Sequence, residues 1–271
     1  MTRYPAPEGL GAYAKACPLR HFEDEGGAPW SYRDNGRIEG PALVLLPGAL
    51  GNGDSAWRIA EAFDRECRVI SITYPGGPGP QALSRGLHAL LLSLGTGAVA
   101  LWASSYGAWW AQDFAHRFPR RVARLWLSNT FVDGSDVAGS PLFGARWLEA
   151  ASGDEVVARW SEALQARPDD LLRSVQLHML HHGLPAAALQ GRLRQVANAI
   201  ALPARDIPQT LVCDCADDPT IAPALRARVR GRYPRARHLS LPRGGHYPHI
   251  VASEALVDAM RGWLRQPLNS Y

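Results

Sequence analysis

The sequence predicts an α/β fold, with a mostly parallel central sheet, helices on both faces of the sheet and an inserted helical cap. Short apolar and β-branched runs alternate with longer segments of helical periodicity, as in βαβ units. This alternation stops after residue 133 for about seventy residues, which is too long for a structureless loop in a compact domain. We therefore expect the interrupted stretch to fold into helices of its own.

The composition is that of a globular protein with a large core. The 271 residues are 46% hydrophobic and 20% charged, which excludes disordered and collagen-like chains. The formal charge is +4, but Lys15 is the only lysine and the other basic residues are arginines scattered among acidic ones. A phosphate-binding surface would cluster its charge, so we expect no nucleic-acid partner.

The sequence contains no sign of a membrane segment or of a disulfide scaffold. No apolar run approaches the ~18 residues of a membrane helix, and residues 1–20 lack the pattern of a signal peptide. We expect a cytoplasmic protein without a membrane partner. The cysteines are few and irregularly spaced, which predicts reduced, mostly buried thiols at Cys17, Cys67, Cys213 and Cys215.

Apolar and β-branched runs predict six strands, the first clear one starting at residue 42. They cover residues 42–46, 68–72, 98–102, 122–128, 209–213 and 237–241. The intervening helices are indicated by the segment 55–63 and by apolar stripes. The stripe residues are Leu83, Leu87, Leu90, Leu91, Leu94, then Trp110, Phe114, Phe118, and finally Leu256, Met260, Trp263 and Leu264.

The interrupted stretch, residues 134–204, is predicted to be a helical cap inserted into a core domain of residues 1–133 and 205–271. Trp160 and Leu164 are spaced as on one helix face. A second helix is indicated behind Pro185, where four apolar residues recur at helical spacing: Leu189, Leu193, Val196 and Ile200.

A serine lies in a sharp turn between the strand over 98–102 and a helix from residue 108. The run Ala103-Ser104-Ser105-Tyr106-Gly107 fits the pattern small-x-nucleophile-x-small. A tight strand-to-helix turn crowds the residues two before and two after its centre, so both must be small. The central hydroxyl then projects from the carboxyl edge of the sheet, which makes Ser105 the candidate nucleophile.

A carboxylate and a histidine follow in the order that such a serine needs. Asp217 and Asp218 follow the strand that ends near Cys215, and His246 follows the last strand behind Gly244-Gly245. A serine hydroxyl is a poor nucleophile, so it needs an imidazole base, and the base needs a carboxylate that fixes its tautomer. Neighbouring residues point to different sides, so only one of the two aspartates can reach His246.

Two backbone N–H groups are expected to bind the oxyanion of an acyl-transfer reaction. One belongs to Tyr106, directly after the candidate nucleophile. The other is assigned to Ala49 in the loop after the first clear strand, where Gly48 lets the backbone turn inward. The helix that begins after Ser105 directs the positive end of its dipole at the same place.

With these motifs the chain resembles the α/β-hydrolase fold superfamily, and within it the maspardin family and its bacterial relatives. The resemblance runs nearly end to end. It includes Ala103-Ser104 of the sharp turn 103–107, which we call the elbow. It also includes the pair Ser128-Asn129, the run Arg205-Asp-Ile-Pro208 and the pair Gly244-Gly245. Maspardin has asparagine at the position of His246 and glutamine at that of Asp218, and it is regarded as a non-catalytic binding protein.

The superfamily pattern also bears on the choice of the acid. Its carboxylate tends to lie three residues beyond the small residue that ends the strand, as Asp218 lies beyond Cys215. The resemblance therefore favours Asp218. Asp217 remains a candidate, since maspardin keeps an aspartate there, and is otherwise expected to be a solvated turn residue that helps to cap the next helix. Asp133 is a third, because some families take their acid after an earlier strand.

The expected function is that of a serine hydrolase acting through Ser105, Asp218 and His246 on an ester or thioester of a small apolar acid. The alternatives are a lyase or acyltransferase on the same fold, or a maspardin-like interaction protein. We expect a small-molecule acyl substrate, no cofactor and no metal, with the oligomeric state open.

Two groups of conspicuous residues are expected to be structural. His178, His181 and His182 lack carboxylates or cysteines at metal-ligand spacing. Trp109 and Trp110 are expected in the core and pocket wall and not at a cofactor site.

Overall fold

The central feature of the protein is an eight-stranded sheet in the order β1-β2-β4-β3-β5-β6-β7-β8. A computed structural model describes residues 3–205, 207 and 209–267. The strands are β1 (Arg20–Glu23), β2 (Pro29–Asp34), β3 (Leu43–Leu46), β4 (Val69–Thr73), β5 (Val99–Ser104), β6 (Val122–Ser128), β7 (Thr210–Cys215) and β8 (Arg237–Leu241). Strands β1, β2 and β4 pair antiparallel, and every other pair is parallel.

Helices surround this sheet, as the sequence predicts. They are α1 (Glu8–Ala16), α2 (Trp57–Phe63), α3 (Pro80–Ser93), α4 (Tyr106–Arg117), α5 (Ala145–Ala150), α6 (Gly153–Gln165), α7 (Leu171–His178), α8 (Ala186–Ala197), α9 (Pro223–Arg232), α10 (Pro248–Val251) and α11 (Ser253–Arg265). The predicted α/β fold class with a mostly parallel sheet is confirmed.

The inner strands of the sheet are covered on both faces. Every residue of β3, β5 and β7 is buried, which explains the continuous apolar runs in β3 and β5. The hairpin β1–β2 at one edge was not expected from the sequence. Its edge strand β1 has three exposed residues and no apolar run, so its composition carries no strand signal.

Helices α5 to α8 lie between β6 and β7, in the stretch assigned to the cap. The apolar residues Leu189, Leu193 and Val196 of α8 are buried. The expected fourth member, Ile200, lies beyond the end of α8 and is 69% exposed. That part of the prediction is wrong because the helix ends at Ala197. The boundaries at 134 and 204 remain our assignment.

The structure shows the environment of the four cysteines, which were expected to be mostly buried thiols. All four are free, and Cys213 and Cys215 are buried whereas Cys17 and Cys67 are only half-buried. In the part of the chain that the structure describes, no helix has both the length and the apolar character needed to cross a membrane.

Candidate active site

Ser105 is the whole of the turn between β5 and α4. The strand runs on to Ser104 and the helix begins at Tyr106, so the turn is shorter than the five residues expected. Ser105 has φ +50° and ψ −120°, a conformation that costs a residue with a side chain about 1–3 kcal/mol. Such strain persists only where the surroundings enforce it.

Hydrogen bonds from three directions hold Ser105 in this conformation. Its N–H donates to the carbonyl of Ser128 on the neighbouring strand at 2.8 Å. Its own carbonyl accepts from the N–H of Trp109 and from the hydroxyl of Thr130, both at 2.9 Å. The turn is therefore fixed by β6 and α4 together.

The small residues of the elbow pattern have a steric reason. A β-carbon on Gly107 would lie 2.7 Å from the carbonyl oxygen of Leu46 and even closer to that of Pro47. Ala103, two residues before Ser105, is completely buried. A side chain at Gly107 would therefore push α4 away from the end of β3, and a larger one at Ala103 would find no free space.

His246 lies in the loop after β8, and its imidazole approaches the hydroxyl of Ser105. Its Nε2 is 2.9 Å from Oγ of Ser105. The preceding Gly244 has φ +147° and Gly245 has φ +53°, values that favour glycine. These two glycines let the loop return over the end of β5.

Asp218 is the carboxylate that meets His246. Its Oδ2 lies 2.9 Å from Nδ1 of His246, and its side chain is fully buried. Its other oxygen accepts the N–H groups of Thr220 and Ile221 at 2.7 and 3.1 Å. Burial raises the pKa of Asp218, but the hydrogen bonds and charge of its partners outweigh burial and hold the pKa below its usual range.

The other two candidate acids have different partners. Asp217 is exposed and accepts the N–H groups of Gly244 at 3.2 Å and Gly245 at 2.9 Å. It therefore fastens the histidine loop, and the expectation that it caps the following helix is wrong. Asp133 is paired with Arg228 at 2.9 Å, so its carboxylate is occupied away from the histidine.

Asn129 is a site residue to which the sequence argument gave no role. It directly follows β6, has φ +46°, and donates from Nδ2 to Oδ2 of Asp218 at 2.8 Å and to the Gly245 carbonyl at 3.0 Å. Its own Oδ1 accepts the Ser128 hydroxyl at 3.0 Å. The sequence did contain a signal for this role, because Asn129 directly follows a predicted strand. Polar residues at the carboxyl ends of parallel strands meet at one edge of the sheet.

The loop after β3 lies beside the serine. A β-carbon on Gly48 would be 3.2 Å from Cβ and 3.8 Å from Oγ of Ser105. The candidate oxyanion donors, the N–H groups of Ala49 and Tyr106, thus belong to the two backbone segments that flank Ser105. Two such donors converging beside a nucleophile would stabilise a developing oxyanion.

A cavity of about 540 Å³ opens above Ser105 and His246. Residues of the segment 134–204 supply much of its wall through apolar side chains, namely Val137, Leu142, Phe143, Trp160, Leu164 and Leu172. Trp109 and Trp110 are buried beneath the elbow and are not among the residues that line this cavity. They serve as core, and their expected role as pocket wall is wrong.

The three histidines singled out in the sequence pack against the N-terminal segment and against Ser161. His178 lies against the carbonyl of Tyr4 at 3.1 Å, and His182 lies against that of Arg3 at 2.8 Å. Nε2 of His181 is 2.8 Å from Oγ of Ser161. Over residues 3–205, 207 and 209–267, no group of three His, Cys, Asp or Glu side chains is arranged to hold a metal ion.

Comparison with known proteins agrees with this architecture. The model of the Alpha/beta hydrolase family matches residues 43–259, and the chain belongs to this family. It is also similar to Lipase 1 of Psychrobacter immobilis, with 22% identity over 253 residues that cover 84% of this chain and 78% of the lipase. These findings support a hydrolase.

Solved structures show the same fold. A hydrolase from Pseudomonas aeruginosa PA01 superposes with a TM-score of 0.75 at 23% identity, covering 92% of this chain and 98% of that one. A thermophilic esterase from Thermogutta terrifontis gives a TM-score of 0.72 at 21% identity, again over 92% and 98%. At these identities the likeness establishes the fold alone.

Proposed function

We propose that the protein is a serine hydrolase that transfers a small, largely apolar acyl group from an ester or thioester to water, using Ser105, His246 and Asp218. The observation that carries this proposal is an unbroken chain of hydrogen bonds. Oγ of Ser105 lies 2.9 Å from Nε2 of His246, and Nδ1 of His246 lies 2.9 Å from Oδ2 of Asp218. Ser105, at one end of this series of hydrogen bonds, lies in the wall of a cavity that many apolar side chains line.

The ionised Asp218 selects the tautomer of His246 that the reaction requires. A carboxylate accepts only, so Nδ1 of the imidazole must carry the proton, which leaves the lone pair of Nε2 facing the Ser105 hydroxyl. Ser105 Oγ then attacks the substrate carbonyl carbon and its proton passes to Nε2. The carbonyl π electrons move to oxygen, and the N–H groups of Ala49 and Tyr106 bind the resulting oxyanion.

The remaining steps restore the enzyme. Collapse of the tetrahedral intermediate breaks the bond to the alcohol or thiol, which leaves with the proton held by His246. Water then attacks the acyl-serine and gives a proton to Nε2 of His246. The second intermediate expels Ser105, which takes that proton back, and the carboxylic acid departs.

The substrate class follows from the walls of the cavity. Its cap side is formed by Leu, Val, Phe and Trp side chains, and its volume of about 540 Å³ is in the range of small-molecule sites. The names of the lipase and esterase relatives agree with an ester bond. A small-molecule acyl substrate without a cofactor, nucleic acid or membrane partner, in the cytoplasm, remains our expectation.

Two other functions are compatible with the fold. A lyase or acyltransferase would use the same three side chains with a different acceptor. A maspardin-like interaction protein would need no activated serine. The presence of His246 and Asp218, at positions where maspardin has asparagine and glutamine, favours catalysis over a purely binding role.

A substrate series tests the proposal. We expect turnover of nitrophenyl esters with short acyl chains, with kcat/KM falling once the chain outgrows the cavity, and covalent labelling by a fluorophosphonate probe. Labelling without ester turnover would favour a lyase or transferase. Neither labelling nor turnover would favour the interaction protein.

A further inference from the structure

Arg192 is a fully buried arginine without a carboxylate partner. It is contributed by α8 of the cap and is 0% exposed. None of the ion pairs in the described part of the chain involves it. Burial lowers the pKa of its guanidinium. A buried charge is costly unless it is hydrogen-bonded, and this one is bonded to backbone carbonyls only.

Two of the three carbonyls that Arg192 holds belong to the loop with the candidate oxyanion donor. Its Nη1 donates to the carbonyl of Gly51 at 2.7 Å and to that of Ala49 at 3.3 Å. Its Nη2 donates to the carbonyl of Tyr74. The guanidinium carbon also lies 3.8 Å from the centre of the Tyr74 ring, a cation–π contact.

Tyr74 in turn fixes the preceding peptides of the same loop. Its hydroxyl donates to the carbonyl of Pro47 at 2.6 Å and lies 3.3 Å from that of Gly48. Burial raises the pKa of Tyr74 to about 12, so the hydroxyl keeps its proton and remains a donor. Arg192 and Tyr74 together hold three carbonyls of this loop, those of Pro47, Ala49 and Gly51.

A peptide group is planar and trans, so a fixed carbonyl fixes the N–H of the next residue in the opposite direction. The Gly48 carbonyl accepts the Gly51 N–H at 3.2 Å, and Arg192 holds the carbonyls of Gly51 and Ala49. The peptide that carries the Ala49 N–H is therefore kept from rotating. The loop that carries this N–H lies beside Ser105.

We propose, on the basis of the hydrolase function above, that Arg192 is a positioning residue of the oxyanion hole. It is supplied by the cap and holds the Ala49 N–H in the orientation that binds the oxyanion formed at Ser105. The cap thus completes the catalytic machinery in addition to enclosing the substrate.

The docking of α8 on the core supports this role. A β-carbon on Gly191 would lie 2.7 Å from the amide nitrogen of Gly77, and one on Gly76 would collide with the carbonyl of Ala188. The side chain of Gln195 donates to the Gly77 carbonyl at 3.1 Å. The helix is therefore seated directly on the loop after β4, which brings Arg192 into the core.

The test separates oxyanion binding from substrate binding. We measure ester kcat and KM, and the affinity for a trifluoromethyl ketone, which forms a tetrahedral oxyanion with an active serine. Loss of one oxyanion donor costs about 10²–10³ in kcat. We expect Arg192→Met to lower both kcat and inhibitor affinity by about 10², with KM changed by less than about threefold.

The matched control is Arg194→Met, two residues along α8. The Arg194 guanidinium donates to the carbonyls of Leu148 and Glu149 within the cap, both at 2.9 Å. We expect this variant to keep kcat and inhibitor affinity. Tyr74→Phe, which retains the ring but loses the hydroxyl, should lower both in the same direction as Arg192→Met. It also decides the matter if Arg192→Met fails to fold.

The outcomes distinguish the two proposals. A wild-type protein that neither turns over esters nor binds the ketone refutes the hydrolase function, and the positioning role with it. An active wild type with Arg192 and Tyr74 variants that are folded and keep kcat and inhibitor affinity, or that raise KM alone, refutes only the positioning role.

Discussion

Asn129 donates a hydrogen bond to the same carboxylate oxygen of Asp218 that faces His246, with Nδ2 and Oδ2 2.8 Å apart. The same Nδ2 donates to the carbonyl of Gly245 at 3.0 Å. One side chain at the end of β6 therefore ties the acid to the loop that carries the histidine. The arrangement limits the directions in which Asp218 can rotate.

Replacing Asn129 by Gly should lower turnover by a factor of about 10 to 10², since a hydrogen bond to a charged group contributes about 1.5–3 kcal/mol and Asp218 would lose one. Glycine is chosen because it accepts the φ of +46° at this position, so backbone strain does not add to the effect. Steady-state kinetics measures the loss. Unchanged kcat in a folded Asn129→Gly protein would contradict the positioning role of Asn129.

Asp218→Asn should reduce turnover by about 10⁴, because an amide in place of the carboxylate presents the wrong imidazole tautomer to Ser105. Asp217→Asn is the matched variant. It keeps one oxygen for the N–H groups of Gly244 and Gly245, so its loss should be small by comparison. Kinetics of both variants at one pH decides the assignment, and the reverse order of effects would contradict it.

Turnover should be lower at about pH 5 than at about pH 8, because an imidazole can accept the serine proton only when it is itself neutral. His246 must be neutral at Nε2 to accept the serine proton. The pKa of Asp218 lies below its usual range, so this carboxylate stays ionised throughout the interval. A kcat/KM profile measures the dependence, and a flat profile from about pH 5 to about pH 8 would exclude His246 as the base.

His249 should make the folded state less stable in acid. Burial, with a smaller effect of His246, lowers the pKa of His249 to about 3, whereas an unfolded histidine titrates near about 6.5. Between these values the unfolded chain binds the extra proton, so His249 makes the free energy of unfolding fall with decreasing pH, by at most about 1.4 kcal/mol per pH unit.

Denaturant unfolding from about pH 4 to about pH 7 tests this contribution. His249→Gln should flatten the pH dependence, whatever its effect on stability at neutral pH. The exposed His116 supplies the control, because His116→Gln should leave the slope as in the wild type. Equal slopes in the wild type and His249→Gln would refute the prediction.

The sequence predicted the inner sheet because fully covered parallel strands need continuous apolar runs, as in β5. It predicted the elbow because the crowding at Gly107 admits only a small residue. Both signals are local. The edge strand β1 could not be found in this way because its exposed face leaves its composition unconstrained.

Long-range partners were also beyond the sequence. Arg192 meets Gly51 across 141 positions, and Asn129 meets Asp218 across 89. No periodicity or spacing rule connects residues so far apart, since these contacts depend on how helix α8 and the strand ends pack. The end of α8 was misplaced because Ile200 continued the apolar spacing by chance after the helix had ended.

The most direct test of the central claim is the mass of the intact protein after treatment with a fluorophosphonate, combined with ester turnover. We expect the wild type and Ser104→Ala to gain one phosphonyl group and to hydrolyse ester. Ser105→Ala should gain none and lose activity by a factor on the order of 10⁶. An active, labelled Ser105→Ala protein, or a wild type that is neither labelled nor active, would contradict the account.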